Sequence, residues 1–173
     1  MKSKARRVRK RLVRPSQELP HLPGHENYSF SNQVGHLLRR AYQRHLVIFN
    51  SMCIDPQLTA VQFAVLRAIR DSKICYLTTI SRAAAMDLAT TRGVTERLRE
   101  RNLISLNEDK IDQRRTIVKL TKKGVQLADK MIPCSLAISD RTMNVLTTAE
   151  RVALIHLLTK IGTGPDSDRT RTS

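Results

Sequence analysis

From Val34 to Met52 the apolar side chains return at steps of three and four: Val34, Leu37, Leu38, Ala41, Ile48, Phe49 and Met52, with His45 on the same line. That spacing predicts a long amphipathic helix, capped by Ser31, with Arg39, Arg40, Gln43 and Arg44 on its other side. The helix should stop before Pro56, because the residue preceding a proline avoids the helical region. Thr59 then caps a second helix with Phe63, Leu66 and Ile69 inward, and a short Ala-rich third helix is expected over about 79–85. Asp87 is the N-cap of a fourth helix over about 88–101, and Asn102 suits its left-handed stop. Leu103 to Asn107 alternates apolar and polar as a strand does, Glu108 to Arg115 is turn-like, and Thr116 to Leu120 is the returning strand. Thr121 caps a fifth helix carrying Leu127, Met131, Leu136 and Ile138, with a possible kink at Pro133. Thr147 and Glu150 form a capping box for a sixth, with Leu154, Ile155, Leu158 and Ile161 as its apolar stripe.

Helix, helix, then a charged hairpin is the layout of a winged helix. The fold class expected is mainly α with a small β-hairpin wing: a winged helix-turn-helix plus N- and C-terminal dimerisation helices. The winged domain takes 57–120. The flanking segments 28–56 and 121–162 carry apolar stripes that so small a domain cannot cover, so they are expected to bury them against a second copy, as a homodimer. Residues 1–27 read as a disordered basic arm, broken by Pro15, Pro20 and Pro23, and 163–173 as a polar tail.

Charge says what this scaffold meets. The 173-residue chain carries a net +16. Eight of those charges lie between Lys2 and Arg14 with no acid among them, and removing these eight leaves +8 on the rest. Phosphates attract such a surface, and binding releases counterions, so nucleic acid is the leading partner over an anionic membrane. No apolar run approaches the roughly 20 residues of a membrane span, and the basic N-terminus lacks the apolar stretch of a secretory signal. A cytoplasmic, nucleoid-associated location and no membrane partner are expected. The three cysteines, Cys53, Cys75 and Cys134, are widely spaced and form no metal motif. No paired carboxylates, nucleophile with base or Gly-rich phosphate loop stands out, so neither an enzyme nor a cofactor is expected.

The segment from Leu58 to Gly124 carries three further signals in order: Leu58-Thr59-Ala60-Val61-Gln62-Phe63-Ala64-Val65-Leu66, then Arg97-Leu98-Arg99-Glu100-Arg101-Asn102-Leu103-Ile104, then Asp112-Gln113-Arg114-Arg115 followed by Leu120-Thr121-Lys122-Lys123-Gly124. Together they resemble the MarR family of bacterial transcription regulators, over about 30–162. The last piece matches the family's wing signature of Asp-x-Arg-Arg and Leu-Thr-x-x-Gly. Asn102 departs from the usual glycine, and Asn tolerates the same backbone geometry. The resemblance implies a homodimeric repressor on double-stranded DNA with a palindromic operator. It also implies release by a small-molecule effector, an aromatic or heterocyclic carboxylate.

Recognition helices present their N-terminal residues to base edges in the major groove, which here are Ala89, Thr90, Thr91, Arg92 and Gly93. Arg97 and Arg99 follow at helical spacing and reach phosphates. Lys110, Arg114 and Arg115 belong to the wing, which in the family enters the minor groove where Arg is favoured. Asp112 is expected to hold one of those arginines in place. The family's effector pocket lies beneath the first helix, which makes Arg39, Arg40, Tyr42, His45, Phe49 and Phe63 the candidates for an anion-and-ring site. Two alternatives stand beside the ligand-released repressor: a thiol-based redox switch on the same scaffold, and an RNA-binding basic protein. A-form major grooves exclude such a helix, which favours DNA.

Overall fold

The computed structural model describes residues 29–72, 75–109, 112 and 115–163. The arm over 1–27, nearly all of the tail, and both Lys110 and Arg114 lie outside the described residues. A 3-10 turn at Phe30–Asn32 precedes α1 (Val34–Met52), α2 (Ala60–Asp71), α3 (Leu77–Ala83), α4 (Leu88–Glu100), β1 (Ile104–Glu108), β2 (Thr116–Leu120), α5 (Lys122–Thr142) and α6 (Thr148–Gly162). The expected order of four helices, a hairpin and two helices holds. The third helix begins two residues earlier than the sequence suggested, because Tyr76 forms an antiparallel bridge with Ile117 and the chain turns into the helix directly after it.

Local chemistry sets the boundaries. Thr59 Oγ1 accepts from Gln62 N at 3.2 Å while Gln62 Oε1 accepts from Thr59 N at 3.0 Å, a reciprocal box that satisfies two orphan donors at the start of α2. Thr147 and Glu150 repeat the device at α6. The chain leaves α4 through Asn102 at φ 56, the left-handed step that frees it to become β1. The hairpin is antiparallel, with Ile104 opposite Leu120 and Glu108 opposite Thr116. Pro133 sits inside α5 and withholds one backbone donor from the ladder, yet the helix runs through it.

Packing divides the chain within α1, after Arg40. In the first unit the Phe30 and His36 rings lie 4.5 Å apart, and Val34, Leu37 and Leu38 are exposed. The second unit holds a core in which Val65, Leu66 and Ile69 of α2 meet Ile80 of α3, Val94 and Leu98 of α4, Ile104 and Val118 of the hairpin, and Met131 of α5. The later part of α1 joins this core through Ile48 and Phe49 and leans on the end of α5, where His45 Nδ1 and Thr142 Oγ1 are 3.1 Å apart.

α6 carries its apolar stripe uncovered. None of its residues is buried, and Val152, Ile155, Leu158 and Ile161 are all exposed. Leu136 on α5 is 67% exposed. Among the described residues nothing covers these side chains, as expected if a second copy does.

Candidate nucleic-acid interface

Asp87 organises the start of α4. Its Oδ1 accepts from Thr90 N at 2.7 Å and its Oδ2 accepts from the Thr90 hydroxyl at 2.6 Å. Those bonds, the hydroxyl's foremost, hold the Asp87 carboxyl below its usual range. Ala89, Thr90, Arg92 and Gly93 are exposed along this first stretch. Thr91 is not: it is 0% exposed and its Oγ1 donates to Asp87 O at 2.8 Å. The expectation that Thr91 touches DNA is therefore corrected. It belongs with Val94, Thr95 and Leu98 to the row of α4 that faces the core. A Cβ built on Gly93 meets nothing within 4 Å, so packing does not require a glycine there.

Farther along the helix, Arg97 is exposed and forms no ion pair among the described residues. Arg99 is exposed too, but its Nε donates to Glu96 Oε2 at 3.0 Å, which ties part of its charge to its own helix. The far end of α4 is anchored by a residue the sequence reading passed over. The largely buried Arg101 side chain meets Asp55 Oδ2 at 2.5 Å and Gln57 O at 3.0 Å, both in the α1–α2 loop. A charge pair of this kind is separated by several residues of loop and 46 positions of sequence, and no local pattern marks it.

The hairpin is fixed to α3 by Tyr76, another residue without a sequence signal. Its hydroxyl donates to Asp109 Oδ2 at 2.6 Å, and that bond raises the Tyr76 pKa. The other end of the cluster is Arg115, whose guanidinium carbon lies 3.7 Å from the centre of the Tyr76 ring. Asp109 N donates to Arg115 O at 3.0 Å and Arg115 N to Asp112 O at 2.9 Å, so the backbone closes the loop between the strands. The Asp112 position is described, while Arg114, the arginine it is expected to order, lies outside the described residues.

Among the effector candidates, four rings form a series. Tyr42 and His45 are 6.2 Å apart, His45 and Phe49 6.4 Å, and Phe49 and Phe63 6.3 Å. Three hollows lie among the described residues near these elements. One of about 510 Å³ is bounded by Tyr42, Asn50, Thr59, Thr90, Val94 and Arg97, and so joins α1, the start of α2 and α4. One of about 250 Å³ lies between α3, α4 and the hairpin. The largest, about 690 Å³, lies behind the hairpin against the end of α2 and touches neither α1 nor α4. Phe49 is 3% exposed and lines none of them; it is a core residue, not a ring on offer. Arg39 and Arg40 are exposed on α1. The cation in the 510 Å³ hollow is Arg97, which the sequence reading had assigned to phosphates.

Of the three thiols Cys75 is buried, and Cys53 and Cys134 are half-buried. Burial pushes Cys53 and Cys75 up, and Cys53 donates to Asp55 O at 3.2 Å. A reactive thiol needs a depressed pKa from a nearby cation, and at Cys53 the Arg101 contribution is the smallest of those acting. No helix among the described residues is long and apolar enough to cross a membrane.

No family model matches the chain. Whole-chain comparison is more informative. The chain is 48% identical over 134 residues to the HTH-type transcriptional repressor NicR of Pseudomonas putida, spanning 78% of this chain and 85% of that protein. The fold superposes on Bordetella bronchiseptica BpsR, whose DNA binding is regulated by 6-hydroxynicotinic acid, with a TM-score of 0.75 and 47% identity over 79% of this chain and 98% of that one. Escherichia coli MarR bound to operator DNA shares the fold, with a TM-score of 0.68 at 23% identity over 78% of this chain and 99% of that one. With a capped recognition helix, a two-stranded wing and relatives at nearly half identity, the chain belongs to the MarR family of DNA-binding, ligand-responsive transcriptional regulators.

Proposed function

We propose that this protein is a homodimeric repressor that holds an inverted-repeat operator through two copies of α4 and the wing, and leaves it when a hydroxylated pyridine carboxylate binds. The observation that carries the reading is the 510 Å³ hollow, whose wall includes both Tyr42 of α1 and Thr90, Val94 and Arg97 of the recognition helix. A planar acid seated there meets one cation, a ring and the amide of Asn50, the mix of apolar slot and few polar groups that small-molecule sites use. It also lies against α4, so occupancy acts directly on the helix that reads DNA. Differential contact of this kind is what a ligand needs to shift a conformational equilibrium. The ligand class rests on BpsR, which responds to 6-hydroxynicotinic acid. Tyr42 and Arg97 take the ring and the carboxylate; His45, spent on Thr142, and the buried Phe49 support the wall from behind.

Ala89, Thr90 and Gly93 face base edges, Arg97 and Arg99 approach phosphates when the hollow is empty, and Arg114 with Lys110 enters the minor groove, with Asp112 ordering Arg114. The protein acts in the cytoplasm by binding rather than by catalysis. The raised Cys53 and Cys75 thiols speak against the redox alternative, and a helix with an adjacent wing speaks against A-form RNA. The test is a gel shift on the duplex upstream of the protein's own gene. Competition by unlabelled duplex and not by structured RNA, with footprints one helical turn apart, is expected. Equal competition by RNA, or a single unsymmetrical footprint, overturns the reading.

A further inference from the structure

We propose that Arg115 and Arg92 grip one backbone phosphate of the DNA in the hollow between wing and recognition helix, and that Tyr76 is the positioning residue that holds Arg115 there. The inference rests on the DNA-binding reading above and adds a site to it. The hollow is about 250 Å³ and is lined by Leu77 and Thr78 at the start of α3, Leu88 and Arg92 at the start of α4, and Arg115 and Thr116 at the hairpin.

Its chemistry fits an anion. Arg92, Arg115, Thr78, Thr116 and Tyr76 line a common space, and none of the side chains lining it is a carboxylate. Arg92 is exposed and has no ion pair among the described residues. Two like charges directed at one space are stabilised by a negative group between them, and Arg–phosphate pairs offer geometric specificity as well as charge.

Its position fits a phosphate in particular. A recognition helix lies in the major groove and a wing over the neighbouring minor groove. What separates those grooves is a sugar–phosphate ridge, and the hollow lies between the two elements that straddle it.

Arg115 is fixed for this task. Its guanidinium is laid back on the Tyr76 ring at 3.7 Å, at the loop end of the hairpin. Tyr76 is itself immobilised by its bond to Asp109, which is 7% exposed, and by its bridge to Ile117. A cation over an aromatic face keeps its edge donors free while losing little orientation. The expectations that Arg115 follows Arg114 into the minor groove and that Arg92 meets a base edge are replaced by a division of labour: Arg115 and Arg92 position the duplex, and sequence is left to other residues.

The test is the salt dependence of binding to the operator and to a scrambled duplex of equal length. Arg115→Ala weakens both by a similar factor, about tenfold, and lowers the slope of log affinity against log salt by about 0.9, the signature of one phosphate lost. Tyr76→Leu, checked for an unchanged melting curve profile, gives the same loss, and adding Arg115→Ala to it costs nothing more. Tyr76→Phe keeps the ring and so keeps the slope, an outcome that a purely structural role for the Asp109 bond would not give. An unchanged slope in Arg115→Ala, or a loss confined to the operator, overturns the clamp. A wild-type protein that binds neither duplex overturns the DNA-binding reading with it, whereas wild-type binding alongside unaffected variants overturns the clamp alone.

Discussion

Gly124, in the first turn of α5, lies so close to Leu103 that a Cβ built on it would stand 1.9 Å from the Leu103 carbonyl oxygen. That carbonyl also accepts from Thr121 N at 3.0 Å, so it cannot simply swing away. The Leu-Thr-x-x-Gly pattern is thus a packing requirement: threonine caps α5, and glycine lets the helix start against the end of the recognition helix. Gly124→Ala should destabilise the protein by about 2–3 kcal/mol through overpacking. Urea unfolding should show a lower midpoint with unchanged slope.

Asp87 supplies a pH-dependent contribution. Its folded pKa lies below the ordinary value of 3.8, so its contribution is fully present above that value and is lost as pH falls through the depressed folded value. Asn caps well but carries no charge. Wild type should therefore be more stable than Asp87→Asn at pH 7, with the difference shrinking steadily below about pH 4. Paired unfolding curves across that range check it, and a difference that grows in acid contradicts the assignment.

The bare face of α6 predicts the assembly. Ile155→Glu with Leu158→Glu places charge where the partner's apolar surface is expected, so sedimentation at low micromolar concentration should move from dimer to monomer. Wild type should show only dimer. Equal sedimentation of the two proteins would mean that α6 lies outside the interface.

Asp112 separates two views of the wing. If only net charge mattered, Asp112→Ala would tighten operator binding by removing a repulsive carboxylate. If Asp112 orders Arg114, the same change weakens binding, and Arg114→Ala weakens it more, by tenfold or greater at about 1.4 kcal/mol per decade. Anisotropy titrations at two salt concentrations distinguish them.

How far the chain was legible follows from where each signal is written. The caps at Thr59, Asp87, Thr121 and Thr147 are local, because a side-chain oxygen and a backbone N–H three residues on suffice, and all four stand as the sequence indicated. Asn102 was legible for the same reason. Ala85, which also takes positive φ at 51°, was not, since alanine carries no preference for that region. Thr91 was misassigned although a signal existed: 91, 94, 95 and 98 share one helical face, and reading that row as core would have removed Thr91 from the DNA surface. Tyr76 and Arg101 act through partners 33 and 46 positions away, Asp109 and Asp55, and only the fold brings them together.

The central claim is that ligand and operator oppose one another through α4. Its most direct measurement is operator affinity, by fluorescence anisotropy, across a titration of 6-hydroxynicotinic acid, with Arg97→Ala alongside wild type. The account predicts that saturating ligand weakens wild-type binding by about tenfold or more, within the usual range of allosteric coupling, and that Arg97→Ala loses most of that response. Operator affinity that stays constant across the titration, in a protein that binds the operator tightly, would contradict it.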